Sequence, residues 1–342
     1  MTSRLGDPIS LRGREIRNRI VMPPLVCFNW ADGNGMETVS RETHYGARAR
    51  GGAGLIVVEA TAIMPGGRLS ASQLGLWSDA HIPQFRRMAQ ACRDGGAAVV
   101  VQLVHAGPKA VGGFGKAVSA YAGEELASIT AAFAAAAARA MEAGLDGVEV
   151  HGAHGYLLNH FSSAAANDRT DGYGGSPEGR MRLPLEVCRA VRAAIGPDAL
   201  MSYRFGVNDP SLDEDVLLAA RLREEGVDLL NASAGIGADG IAVPAGFPCS
   251  AITWMGAALH GRVGLPTACV YGITRPGDAS WLLEHGYADF VAVGRGLLAD
   301  PEWANKALRG DSVFECRRCQ PGCLFREDGR RCPGSRNLWR QD

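Results

Sequence analysis

Between Ile20 and Val293 the chain repeats one pattern eight times: a short apolar, β-branched run, then a stretch that suits a helix. The runs are 20–22, 55–60, 97–104, 147–150, 200–205, 228–232, 267–271 and 290–293. Near-continuous apolar runs of this length suit parallel strands covered on both faces. The intervening segments 81–94, 124–143, 176–195, 213–225 and 275–285 read as helices, followed by Gly95, Gly144, Gly196, Gly226 and Gly286. Glycine is favoured just past a helix end because it accepts the left-handed conformation that closes the last turn. An eightfold β/α alternation predicts an α/β fold of the TIM (β/α)8 type. An open doubly wound sheet is the rival, but its Gly-x-Gly-x-x-Gly turn does not follow an early run. The expected division is a barrel over 1–310 and a short cysteine-rich tail over 311–342.

Charge and length exclude several functions. The formal net charge is −1, which supplies no long-range field for nucleic acid or an anionic membrane. No apolar run approaches the roughly 20 residues of a membrane span. The first eight residues lack the apolar core of a signal peptide, so a cytoplasmic protein is expected. Of nine cysteines, Cys27, Cys92, Cys188, Cys249 and Cys269 are scattered among apolar neighbours, where buried free thiols are usual. Cys316, Cys319, Cys323 and Cys332 crowd together near the end. Without a secretion signal, such a group points to a metal site sooner than to disulfides.

The chemistry-bearing residues fall at the ends of the apolar runs, where a barrel binds its ligands. Glu149-Val-His-Gly-Ala-His-Gly-Tyr156 sends two imidazoles and a phenol out of the fourth run. His151, His154 and Tyr156 offer hydrogen-bond donors for a carbonyl oxygen with a proton source beside them; a structural histidine is the competing reading. Gln102 stands among valines and Arg204 between Tyr203 and Phe205. Burying either is costly without partners, so a flat heteroaromatic ligand with carbonyl and ring-nitrogen acceptors is one account, and an internal ion pair the other. After the seventh and eighth runs, Gly272, Gly294 and Gly296 allow close backbone approach to an anion, and Arg295 can grip it in a bidentate fashion. Taken alone, the Gly-Arg-Gly turn is equally a tight turn. The Gly/Pro-rich stretches 65–67, 107–115 and 235–247 are expected to wall the mouth.

Five segments together resemble the Old Yellow Enzyme family of flavoproteins: 18–25, 102–107, 151–159, 167–176 and 293–301, in order along nearly the whole chain. The resemblance implies non-covalent FMN in a TIM barrel. It implies that Pro23, Pro24, Leu25 and Ala60 border the flavin, that Gln102 bonds its pyrimidine edge, and that Arg204 stabilises negative charge on the reduced ring. Gly272, Gly294 and Arg295 would hold the phosphate. His151 and His154 would grip a substrate carbonyl oxygen, and Tyr156 would deliver a proton. Two positions depart: Val26 stands where a small polar residue usually bonds the flavin, and Gly179 where the family usually has Asn.

The implied reaction is an ene-reduction, with hydride passing from NAD(P)H through flavin N5 to Cβ of an α,β-unsaturated carbonyl compound. The tail spacing Cys-x2-Cys-x3-Cys-x8-Cys resembles the 2,4-dienoyl-CoA reductase and trimethylamine dehydrogenase branch, and implies a [4Fe-4S] cluster on Cys316, Cys319, Cys323 and Cys332. The last interval is shorter than that branch's usual one; structural zinc and an empty or degraded site are the alternatives. Members of the branch continue into a nucleotide-binding module, so a chain ending at 342 is expected to lack it. An electron-transfer partner protein and a homo-oligomer are compatible expectations. The alternative activity is a flavin-dependent dehydrogenase, desaturase or amine dehydrogenase sending electrons through the cluster. A non-enzymatic electron-transfer or redox-sensing subunit is a further rival, which the full proton-donor set disfavours.

Overall fold

The protein is represented by a computed structural model that describes residues 4–237, 240–320 and 322–339. Residues 1–3 of the N-terminal stretch, 238 and 239 of the sixth loop, and 321 and 340–342 of the tail lie outside the described residues. Eight parallel strands close into a barrel. They are β1 (Ile20–Met22), β2 (Leu55–Ala62), β3 (Ala98–Val104), β4 (Gly147–Gly152), β5 (Leu200–Val207), β6 (Leu229–Ala234), β7 (Thr267–Val270) and β8 (Phe290–Ala292). Each pairs with the next, and β8 pairs with β1 to complete the ring. This is the TIM barrel expected from the eightfold alternation.

The barrel interior changes character along its axis. Leu55, Val57, Val100, Leu200, Leu229, Ala268 and Phe290 fill the lower end as one apolar cluster. A hairpin of Ile9–Leu11 and Arg14–Ile16 caps that end, adding Leu11 and Ile16 to the same cluster. Above it the inward positions turn polar. A second, larger cluster lies between the strands and the surrounding helices. At about 25 cal/mol per Å² of apolar surface removed from water, these two layers supply the main drive to fold.

Four strands run past their apolar stretches toward the mouth: β2, β4, β5 and β6 end at Ala62, Gly152, Val207 and Ala234. The added residues include Thr61, His151, Gly152, Gly206 and Ser233, so an apolar pattern stops short of them. His151 consequently belongs to the strand, not to the loop beyond it. The helices Ile82–Asp94, Gly123–Glu142, Pro177–Ile195, Asp213–Glu224 and Pro276–Glu284 stand within a residue or so of expectation. Hydrophobic periodicity misses the helix Arg41–Arg50, because its buried side includes Arg41, His44, Tyr45 and Arg48 instead of aliphatic residues. Its N-terminus is capped by Ser40, whose side chain accepts from the Thr43 N–H.

The tail does not stand apart from the barrel. Phe325 is buried within the barrel's outer core cluster. Its ring lies 6.1 Å from Trp30 and 5.6 Å from His44, and Trp339 packs edge-on to Trp30 at 5.2 Å. Among the described residues, no helix is long and apolar enough to cross a membrane.

Candidate active site

Strand register stacks the polar side chains in two levels. Gln102, Glu149 and Ser202 are neighbours across β3, β4 and β5, and two residues further on His151, Arg204 and Asn231 are neighbours across β4, β5 and β6. Period-two alternation sends both levels to the same face. Glu149 is fully buried and accepts from Gln102 Nε2 at 2.8 Å, Asn231 Nδ2 at 3.1 Å and Ser202 Oγ at 3.2 Å. Burial raises its pKa, against the opposing pull of Arg204 and these three bonds. Arg204 Nη1 donates to Asn231 Oδ1 at 2.6 Å and Nη2 to Ser233 Oγ at 3.2 Å. Burial brings its pKa down to about 10, with Glu149 opposing, so it remains a cation at neutral pH. Its Nε is buried with no partner among the described residues. An unsatisfied guanidinium nitrogen is costly unless a ligand completes it.

A cavity of about 410 Å³ opens above this layer. Pro23, Pro24, Leu25, Val26, His154, Tyr156, Arg204, Gly272, Gly294 and Arg295 all line it. Ala60, Gln102 and His151 do not: Gln102 is turned to Glu149, and His151 lies behind, its ring 5.1 Å from His154 and 4.9 Å from Tyr156. The stretches 65–67, 107–115 and 235–247 contribute no lining residue among those described; Leu69 and the tail residues Cys323, Phe325 and Arg326 form wall instead. Sequence reasoning missed Asn231, Ser233 and the role of Glu149. The available signal was a carboxylate between valines and an amide within an apolar run.

His154 sits at φ +61°, a left-handed conformation uncommon outside glycine, and its carbonyl accepts from Lys109 Nζ at 2.6 Å. Its Nε2 lies 2.8 Å from Ser233 Oγ. His151 Nδ1 accepts from the Ala153 N–H at 3.3 Å, which places that imidazole's proton on Nε2. Burial, then Arg204 and Lys109, push the His154 pKa down to about 3. Burial, then His154, Arg204 and Lys109, push His151 well below the usual imidazole value. Both rings are therefore neutral N–H donors at pH 7. Tyr156 is shifted the other way: burial raises its pKa, with Arg326 opposing, so it keeps its proton.

The depressed imidazoles have a consequence for stability. As pH falls from about 6.5, an ordinary histidine value, toward about 3, the unfolded chain takes up protons that the folded chain refuses. Their contribution is complete above pH 6.5 and is lost progressively below it. A His154→Asn variant should lose stability less steeply than the parent between pH 6.5 and 4, measured by urea midpoints. Parallel curves for the two proteins would rule this out.

At the opposite end of the cavity, Tyr271 and Gly272 both hold positive φ, +83° and +80°. A Cβ on Gly294 would stand in ordinary contact, 3.5 Å from Pro23 and 3.6 Å from Leu25. The Arg295 guanidinium lies 5.7 Å from the Tyr271 ring. The Pro23–Val26 loop is fixed from below. The Cys27 N–H donates to Glu59 Oε2 at 2.8 Å, and Glu59 Oε1 pairs with Arg41 Nε at 2.6 Å in full burial. A planar ligand with an anionic tail therefore fits this cavity: guanidinium and donor groups line it at one end, and glycine backbone with Arg295 at the other.

All four tail cysteines are unpaired and line one cavity of about 250 Å³, together with Arg295, Arg317 and Arg318. Among the described residues, no three His, Cys, Asp or Glu side chains converge as they would on a single metal ion. Arg295, Leu298, Cys323 and Phe325 line both this cavity and the mouth.

Comparison with known proteins agrees with the geometry. Residues 4–312 match the model of the NADH:flavin oxidoreductase / NADH oxidase family. The chain is 37% identical to an NADH oxidase of Thermoanaerobacter brockii over 336 residues, covering 90% of this chain and 52% of that protein. It thus spans about half the length of that relative. It is 36% identical to an NADPH dehydrogenase of Bacillus subtilis, covering 90% of this chain and 95% of that protein. Among solved structures, an old yellow enzyme homologue from Zymomonas mobilis superposes with a TM-score of 0.78 at 25% identity, over 92% of this chain and 95% of the other.

Proposed function

This chain belongs to the Old Yellow Enzyme family of FMN-dependent NAD(P)H oxidoreductases (NADH:flavin oxidoreductase / NADH oxidase), and on that premise we propose that it is an ene-reductase of α,β-unsaturated carbonyl compounds. One observation carries the reading: a single cavity has the unpartnered Arg204 Nε on its floor and His154 with Tyr156 on its wall. When bound, FMN would supply the hydride exchange between reduced nicotinamide and Cβ of the substrate. The overall change adds one hydride and one proton across C=C and oxidises NAD(P)H to NAD(P)⁺.

The chain's own residues bind, orient and protonate. Pro23, Pro24, Leu25, Val26 and Ala60 would border the ring system, and Arg204, braced by Asn231, Ser233 and Glu149, would place positive charge against its polar edge. Gln102, held by Glu149, would face the pyrimidine edge on exchanging that bond. Gly272, Gly294 and Arg295 would hold the phosphate. His154, with His151 behind it, would aim neutral N–H groups at the carbonyl oxygen, where a preorganised donor is worth about 3 kcal/mol in the transition state. Tyr156, protonated at neutral pH, would give its phenolic proton to Cα.

Cys316, Cys319, Cys323 and Cys332 would hold a [4Fe-4S] cluster in the tail over 311–342, as in the 2,4-dienoyl-CoA reductase branch. The residues shared by the two cavities favour a second reading, in which electrons leave through that cluster to a partner protein. One preparation tests both. The purified protein should show a flavin absorption spectrum, four irons per chain, and NAD(P)H oxidation dependent on 2-cyclohexenone. A flavin spectrum with no enone-dependent turnover removes the ene-reductase reading; an iron-free preparation, made anaerobically, removes the cluster.

A further inference from the structure

The charge lining the mouth exceeds what the flavin explains. Three guanidinium groups, Arg204, Arg295 and Arg326, line the cavity, and among the described residues no carboxylate does. Arg204 and Arg295 would face the ring and phosphate of FMN. Arg326 comes from the tail, and nothing in the proposed reaction uses it.

Arg326 has no carboxylate partner among the described residues. The two acids beside it are already engaged: Glu327 pairs with Arg331, and Asp328 with Arg330. Its position is nevertheless held. It lies in the short helix Leu324–Glu327, its N–H donates to the Cys323 carbonyl at 3.0 Å, and its neighbour Phe325 is buried against Trp30 and His44. The guanidinium stands 5.8 Å from the Phe28 ring, which also lines the mouth. A second cation, Lys109 Nζ, lies 5.5 Å from the Tyr156 ring. Tyr156 thus has a cation nearby from the third loop and another from the tail.

We propose that Arg326 forms an anion-recognition subsite at the rim of the mouth, taking a carboxylate or phosphate group of a ligand that lies over Tyr156. Guanidinium is suited to this because its planar fork matches both oxyanions. The inference rests on the FMN-dependent reading of the same cavity. The anion has two sources, an acidic group on the enone substrate or the phosphates of NAD(P)H.

The two half-reactions separate them. Parent, Arg326→Ala and Arg326→Lys are prepared as FMN-loaded full chains. Reduction by NADPH is followed by stopped flow, and reoxidation by a cyclohexenone bearing a ring carboxylate, by its methyl ester, and by 2-cyclohexenone. Loss of the guanidinium should lower the second-order rate constant for one anionic ligand about tenfold relative to the neutral ester, as expected for a hydrogen bond to a charged group. Arg326→Lys should recover part of that loss, and the gap between the parent and Arg326→Ala should widen at low ionic strength, where the parent's charge is least screened. A selective fall with the carboxylate places the anion on the substrate; a selective fall with NADPH places it on the nicotinamide dinucleotide. Equal changes with carboxylate and ester, with NADPH reduction unaltered, overturn the subsite. If no enone reoxidises the parent, the ene-reductase reading fails by itself, and the NADPH arm still decides whether Arg326 binds an anion.

Discussion

Replacing Tyr156 with Phe is expected to slow reoxidation of the reduced enzyme by 2-cyclohexenone by about 10²- to 10⁴-fold, the range for loss of a positioned general acid. Reduction by NAD(P)H should stay within a few-fold of the parent, because that step needs no proton from the phenol. The variant keeps the ring, so its edge-on packing against His151 at 4.9 Å and the shape of the cavity are retained. Flavin content should therefore match the parent, which separates a lost proton from a lost site. Stopped-flow measurement of the two half-reactions checks both parts. Equal reoxidation rates in parent and variant would take Tyr156 out of the mechanism and leave solvent as the proton source.

The largest stability effect should come from Arg41, far from the reacting atoms. Arg41 and Glu59 are both fully buried and joined at 2.6 Å. Arg41 also donates to the Trp30 carbonyl at 2.6 Å, and Glu59 accepts the Cys27 N–H. Changing Arg41 to Met leaves Glu59 charged and unpaired in the core, a loss of about 3–5 kcal/mol. Because Cys27 ends the loop that borders the mouth, weaker FMN retention should accompany it. The double variant Arg41→Met, Glu59→Leu removes the stranded charge and should recover much of the loss. Urea unfolding of the three proteins measures this. A single variant within 1 kcal/mol of the parent would show that the pair adds nothing to stability.

Much of the architecture was legible because burial leaves a regular trace. Parallel barrel strands are covered on both faces, so each appears as an apolar run, and the helices between them end at glycines that the chain needs there. His154, Tyr156, Arg204 and Arg295 were legible as polar residues at the ends of such runs. The helix Arg41–Arg50 was not, since it is buried through arginines, histidine and tyrosine, and hydrophobic spacing has nothing to detect. The polar support under Arg204 was equally hidden: Glu149, Asn231 and Ser233 are far apart along the chain, and only strand register brings them together.

The sequence by itself determined the eightfold alternation, the family resemblance and the identity of the groups at the strand ends, because these depend on local composition and order. Tertiary structure decided which of those groups face the cavity. It turned Gln102 toward Glu149, set His151 behind His154, and carried Arg326 from the tail to the rim beside Tyr156. The physical reason is that a side chain's surroundings are set by ring closure and by where the buried Phe325 anchors the tail, and neither is written in any short stretch of residues.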